Sequence, residues 1–261
     1  MFDFHLHTSL SFDSEESALN IIAAAKQKGL IEICFTDHFD LHRDREVQNE
    51  IFDIAKYGKT YDNLQQNGII VRKGVEFGLT EWNVPHLNEL LSSRSFDFCL
   101  GSVHYVNELD PYYKEYWEGL TAKEAFDKYL LKVLECVKLH DDFDVLGHLS
   151  YVARQEHNPT KRALQLREVI DITDEIMKVL VKKGKGMELN TSGVDKIGDF
   201  LPSKDFFVRF KELGGEIVTV GSDAHSADRV GQYVPEALEI LKDVFGHVCT
   251  FDRRTPKFYK L

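Results

Sequence analysis

A basic face is the first thing this 261-residue sequence lacks: 43 Asp and Glu outweigh 32 Lys and Arg, for a formal net charge of -11. Proteins that track a phosphate backbone neutralise it with clustered Lys and Arg, so this balance argues against a nucleic-acid partner and leaves room only for a local basic pocket. There is no apolar stretch of about 18 residues, the length a membrane helix needs. The N-terminus, Met1-Phe2-Asp3-Phe4-His5-Leu6-His7, has neither a basic leader nor an apolar segment of signal-peptide length. A soluble cytoplasmic protein without a membrane partner is expected. Cysteine is scarce: Cys34, Cys99, Cys136 and Cys249 stand far apart and form no CxxC or CxxH pair. They read as buried thiols rather than disulfides or metal ligands. No GxGxxG or Walker loop follows the first β-rich run, which removes the usual signature of a nucleotide-binding doubly wound sheet. Repeats, low-complexity tracts and linkers are missing too, so residues 1–261 are expected to form a single domain.

What is present is an alternation. Short β-rich runs recur at Phe2 to Leu6, Ile31 to Thr36, Ile69 to Glu76, Phe96 to His104, Phe143 to His148, Gly186 to Asn190, Glu216 to Gly221 and His247 to Phe251. Most are too continuously apolar for half-exposed antiparallel strands and suit a parallel sheet buried on both faces. Helical patterns lie between them. Ser14 is a candidate cap, with Glu15 and Glu16 in the first turn, Ala18, Ile21, Ile22 and Ala25 on one face, and Gly29 beyond the end. Thr121 and Glu124 have capping-box spacing ahead of Phe126, Leu130, Val133 and Val137. Further helices are expected over Arg167 to Lys183, Lys204 to Leu213 and Pro235 to Phe245. Seven or eight strand-helix units predict an α/β fold closed into a (β/α) barrel, with an open doubly wound sheet as the alternative.

The chemistry-bearing residues fall at special places in this pattern. Six of the eleven histidines sit at or just beyond the C-terminal ends of the predicted strands, together with the main acids. These are His5 and His7, Asp37 and His38, Glu76, His104, His148, then Asp223 and His225. In a parallel barrel those ends share one face, where barrel active sites are built. Residues two apart on an extended segment project to the same side, so His5-Leu6-His7 and Asp223-Ala224-His225 make natural chelating pairs. Asp13 joins them from the loop after the first strand. Mixed imidazole and carboxylate donors suit zinc, iron or manganese better than magnesium or calcium. The nine residues His5, His7, Asp13, His38, Glu76, His104, His148, Asp223 and His225 exceed what one tetrahedral ion needs, which implies two or three divalent ions sharing a bridging group. His42, His86, His140, His157 and His247 lack this setting and read as surface or locally hydrogen-bonded residues.

The ordered series His5-x-His7, Thr36-Asp37-His38, Gly74-Val75-Glu76, Ser102-Val103-His104, Gly147-His148 and Ser222-Asp223-Ala224-His225 resembles the PHP (polymerase and histidinol phosphatase) family across nearly the whole chain. The resemblance implies a distorted (β/α)7 barrel, TIM-barrel-like. It also implies a metal partition: one ion on His5, His7, Glu76 and Asp223, a second on Glu76, His104 and His148, and a third on Asp13, His38 and His225. Many relatives carry histidine where Asp13 stands, so the third site is oxygen-richer here.

Length and flanking motifs resemble the histidinol-phosphatase branch, which cleaves L-histidinol phosphate to L-histidinol and phosphate in histidine biosynthesis. Gly147-His148-Leu149-Ser150-Tyr151-Val152-Ala153-Arg154 is similar to that branch's segment after the fifth strand, which implies Arg154 as a phosphate ligand. Arg162 and Lys196 are further candidates for the phosphate. The implied mechanism is in-line attack on phosphorus by a metal-bridging hydroxide, with Arg154 bearing developing negative charge and Asp37 accepting a proton or orienting a ligand. The alternative is a PHP-type nuclease or phosphoesterase acting on nucleotides or single-stranded nucleic acid.

Overall fold

A computed structural model of the chain describes residues 1–44, 47–62, 64 and 68–261. Its strands are β1 (Phe2–Leu6), β2 (Glu32–Phe35), β3 (His38–Asp40), β4 (Glu50–Ile51), β5 (Ile70–Gly78), β6 (Phe98–Ser102), β7 (Val145–Leu146), β8 (Gly186–Asn190), β9 (Val218–Gly221), β10 (His247–Asp252) and β11 (Thr255–Lys260). Its α-helices are α1 (Ala18–Gln27), α2 (Ile54–Tyr61), α3 (Val84–Ser93), α4 (Lys114–Trp117), α5 (Ala122–Leu139), α6 (Leu166–Lys183), α7 (Val194–Ile197), α8 (Lys204–Glu212) and α9 (Val234–Val244). None is long and apolar enough to cross a membrane among the described residues.

The main sheet runs β1-β2-β5-β6-β7-β8-β9 with every neighbouring pair parallel. Just beyond the strand ends β1 meets β9: Leu6 bridges Ala224, Asp223 N–H donates to the His5 carbonyl at 2.9 Å, and His7 N–H to that of Ala224 at 3.0 Å. The sheet thus closes into a seven-stranded barrel. Continuous apolar runs were the signal for burial on both faces, and β1, β2, β6, β8 and β9 are buried along their whole length. Phe4, Phe35, Val75, Leu100, Leu189 and Val220 belong to this core.

Helix boundaries follow local chemistry. Thr121 and Glu124 form the capping box of α5, and α6 ends where Gly184 turns left-handed. At α1 the expectation is corrected: the cap is Ser17, whose side chain accepts from Asn20 N–H. Ser14 instead donates to the His225 carbonyl at 2.8 Å and so pins the loop that carries Asp13.

The eighth β-rich run is a second correction. It forms β10, which pairs antiparallel with β11 in a separate two-stranded sheet. Because β1 and β9 already close the barrel, no edge is left for it. Its turn residues Arg253 and Arg254 both adopt positive φ, at 49° and 62°, a tight hairpin turn without the glycine or asparagine that usually marks one. A third feature, β3, continues β2 along β5 in the same register after a break at Thr36 and Asp37 (Phe35↔Lys73, then His38↔Glu76). That break lets His38 lie beside Glu76.

Candidate metal centre

The C-terminal ends of the strands carry the cluster. β1 delivers His5 and, one residue past its end, His7; β5 delivers Glu76; His104 and His148 follow β6 and β7 by two residues, and Asp223 and His225 follow β9. Asp223 sits at φ 56°, a left-handed conformation that aspartate tolerates better than most side chains.

Glu76, fully buried, is the hub. Its Oε1 lies 2.9 Å from His148 Nε2 and 3.3 Å from His104 Nε2. Its Oε2 lies 3.1 Å from His5 Nε2, 3.3 Å from His38 Nδ1 and 3.5 Å from His7 Nε2. Asp223 Oδ1 is 3.3 Å from His7 Nε2 and 3.6 Å from His5 Nε2. Asp13 Oδ2 is 2.9 Å from His225 Nε2 and 3.6 Å from His38 Nε2. All nine sequence-derived residues therefore meet in one place, drawn from positions 5 to 225.

The atoms facing one another have unmet demands. Nε2 of His5, His7 and His225 and Oε2 of Glu76 are buried with no hydrogen-bond partner. Buried polar atoms without partners are costly, and a divalent cation satisfies several at once. His7, Asp13, His38 and His225 form one group whose ligand atoms lie within 4.8 Å of one another; His5 with Glu76 and His148, and His5 with His7 and Asp223, form two more. These donor sets fit zinc, iron or manganese.

Charge follows the same geometry. Burial opposes ionisation of Glu76, yet His5, His104 and His38 hold its carboxyl far below the usual range. Burial also opposes protonation of His104, but Asp40 and Glu76 lift it to about 10, whereas burial together with His225 and His38 pushes His7 down to about 3. Protons and a divalent cation compete for these ring nitrogens.

A supporting layer was not visible in the sequence. Asp40 orients two histidines at once: Oδ1 lies 2.8 Å from His104 Nδ1 and Oδ2 3.2 Å from His38 Nδ1. Glu188 Oε1 lies 2.6 Å from His5 Nδ1, and its Oε2 accepts from His148 N–H at 2.8 Å. Ser11 Oγ lies 3.1 Å from His7 Nδ1 and accepts from His38 N–H at 3.1 Å. Glycine makes room for both acids: a Cβ at Gly78 would stand 1.9 Å from Asp40 Oδ1, and one at Gly221 would stand 2.3 Å from Glu188 Oε1.

Asp37 belongs to this layer and not to the cavity wall. Its Oδ1 accepts from Thr8 N–H at 2.7 Å and from the Thr8 and Ser11 hydroxyls at 3.0 Å, and its Oδ2 accepts from Tyr61 Oη at 2.5 Å. Both oxygens are engaged beneath Ser11, an arrangement that suits the orienting role expected for Asp37 rather than proton transfer.

Above the cluster opens a cavity of about 530 Å³, walled in part by Phe12, Tyr105, Tyr112, Tyr113 and Tyr151. Arg154, at the end of a short 3-10 turn (Tyr151–Arg154), reaches it: Nη1 donates to Asp223 Oδ2 at 2.5 Å and to Ser192, and the guanidinium lies 4.9 Å from the Tyr151 ring centre. Lys196 also lines the cavity, on α7, and so does Arg229, which sequence reasoning missed and which is paired with Asp195 at 2.7 Å. Arg162 does not. It is exposed and held by Glu168 through two contacts of 2.8 and 3.0 Å, so its expected phosphate role is withdrawn.

The PHP domain model matches residues 3–192. The chain is 33% identical over 260 residues to a probable histidinol-phosphatase of Clostridium acetobutylicum, covering 99% of each. It is 31% identical to the histidinol-phosphatase of Lactococcus lactis, covering 95% of this chain and 93% of that one. Among solved structures, histidinol phosphate phosphatase from Lactococcus lactis, complexed with zinc, L-histidinol and phosphate, is similar with a TM-score of 0.87 at 28% identity, over 98% of both chains.

Proposed function

Because this chain belongs to the PHP domain family, we propose that it is a metal-dependent phosphatase that hydrolyses L-histidinol phosphate to L-histidinol and phosphate. The observation that carries this reading is the guanidinium of Arg154 standing against Asp223 at the edge of a nine-residue imidazole and carboxylate cluster, inside one cavity. Its full-length likeness to histidinol-phosphatases supports the substrate.

The ligand assignment is His5, His7, Glu76 and Asp223 for one ion, Glu76, His104 and His148 for a second, and Asp13, His38 and His225 for a third, with His7 in reach of the last group. Divalent ions held there would lower the pKa of a bound water toward roughly 7 and would offset phosphoryl charge. Arg154 does the rest of the anion work: its planar fork matches two phosphoryl oxygens, and Ser192 and the Tyr151 ring hold it in place. Lys196 and Arg229 add positive charge at the mouth and draw in the dianion. Asp37, through Thr8 and Ser11, keeps His7 and His38 aimed inward.

We further assign residues 1–261 to one catalytic domain and the protein to the cytoplasm, where four free, buried cysteines stay reduced. The net charge of -11 counts against nucleic acid as the substrate in this reading.

The test is phosphate release by protein purified without chelator, over L-histidinol phosphate, sugar phosphates, nucleotides and single-stranded DNA, with metal content measured on the same sample. Histidinol phosphate should be turned over with kcat/KM of at least about 10⁴ M⁻¹s⁻¹. No turnover of it beside good turnover of another monoester would refute the substrate, and digestion of DNA would favour the nuclease alternative. Less than about one ion per chain would undermine the cluster.

A further inference from the structure

Arg154 is fixed through a single nitrogen. Nη1 donates to Ser192 Oγ and, at 2.5 Å, to Asp223 Oδ2, and among the described residues neither Nη2 nor Nε donates a hydrogen bond. The half of the guanidinium left free is the half that can take phosphoryl oxygens. Its aim depends on what holds the other half.

Ser192 is itself held, by Asn190, the fully buried last residue of β8. Asn190 Oδ1 accepts from Ser192 N–H at 3.0 Å and from the Ser192 hydroxyl. A backbone N–H can only donate, so the oxygen end of this amide faces Ser192 and the NH2 end faces away. There Nδ2 donates to Glu188 Oε2 at 3.2 Å. The Ser192 hydroxyl has one proton, and its contact with Asn190 Oδ1 is closer than the 3.3 Å to Asp223 Oδ2. With that proton committed to Asn190, the lone pairs of Oγ are left for Arg154.

The far end of this chain of bonds lies under the metal cluster. Glu188 is set by two further contacts, Oε1 at 2.6 Å from His5 Nδ1 and Oε2 accepting from His148 N–H at 2.8 Å, which makes it the rigid end. The order His5, Glu188, Asn190, Ser192, Arg154 therefore runs unbroken from a ligand of the cluster to the guanidinium. Asn190 does not line the cavity, so it reaches a bound phosphate only through Ser192 and Arg154.

We propose that Asn190 is a positioning residue for phosphate binding: it carries the orientation of the His5–Glu188 pair through Ser192 and so aims Arg154 at the phosphoryl group. This rests on Arg154 being the phosphate ligand. A residue that merely supports the fold would lower stability or metal content, and its effect would not depend on the presence of Arg154.

The experiment is equilibrium dialysis of radiolabelled inorganic phosphate against the metal-loaded protein, with metal content measured on each sample, for the wild type, Asn190→Ala, Arg154→Ala and the double variant. Arg154→Ala should raise the dissociation constant by at least about 30-fold and Asn190→Ala by about tenfold. In the double variant Asn190→Ala should add less than about twofold, because its effect passes through a guanidinium already removed. Ser192→Ala should match Asn190→Ala, and Ser192→Thr, which keeps the hydroxyl, should stay within about threefold of the wild type. Metal per chain should remain at the wild-type level throughout.

Unchanged phosphate affinity in Arg154→Ala would overturn the phosphate assignment and this proposal with it. A fall in Arg154→Ala beside a change of less than about twofold in Asn190→Ala would overturn the proposal alone. So would a loss in Asn190→Ala that persists in the double variant, or one that comes with loss of metal. Should Asn190→Ala not fold, Asn190→Asp, of the same size but without the donor to Glu188, takes its place in the same cycle with the same limits.

Discussion

The two ends of the barrel both bury charge, and they do so in opposite ways. At the N-terminal end the β10–β11 hairpin packs across the strand starts, and several charges there pair within the chain. Arg72 meets Glu32 at 2.6 Å and Asp252 at 3.1 Å, Arg254 donates to Asp144 and to the Asp142 carbonyl, and Arg254 N–H donates to the Asp97 carbonyl at 2.8 Å. At the C-terminal end Glu76 and Asp223 face histidine nitrogens that have no hydrogen-bond partners. A self-satisfied end holds the fold together. An unsatisfied end is a place for something that is not protein.

The sharpest way to break this contrast is Asp223→Asn. It should lower phosphate release by at least about 1,000-fold with the far-UV circular dichroism retained, and wild-type rates would remove Asp223 from the site. Next comes Asp40→Asn, which weakens the orientation of His104 and His38 together. Metal affinity measured by chelator competition should fall about 10- to 100-fold, while an unchanged affinity would mean that Asp40 only fills space beside Gly78. The opposite end should respond in stability alone. Arg254→Ala uncovers Asp144, and because the arginine side chain is 26% exposed, the loss on denaturant unfolding of the metal-loaded protein should be about 1 to 2 kcal/mol, less than for a fully buried pair. Its kcat/KM should not move; a large fall would mean that the two ends are coupled. Smallest of all is Arg162→Ala, expected to change kcat/KM by less than about twofold, because its partner Glu168 is an exposed surface residue. A large effect there would restore Arg162 to the substrate.

Much of the catalytic end was legible because its residues obey a rule of position. His5 and His7 occupy alternate places at a strand end, and His104 and His148 each follow their strand by two residues. Glu188 obeys no such rule, and Asp40, two residues after His38, hints at that neighbour alone. An acid inside an apolar strand looks the same whether it pairs with an arginine, a lysine or a ligating histidine, and the distant partners His104 and His5 lie 64 and 183 residues away in sequence. Arg162 failed for a related reason. A basic residue near a phosphate motif is informative only if its own loop turns inward, and here Glu168 holds it outward. The hairpin was hidden by its turn, since Arg253 and Arg254 adopt a backbone conformation that their side chains do not advertise.

By itself, then, the sequence determined the alternation of strand and helix, the number of units that can close a barrel, and the set of side chains brought to one face. Period, capping and strand-end placement are local properties, and local properties are written in neighbouring residues. Only the tertiary structure decided which carboxylate orients which histidine and which basic side chains line the cavity. Those are distances between segments far apart in the chain, set by barrel closure and by the packing of loops at its end.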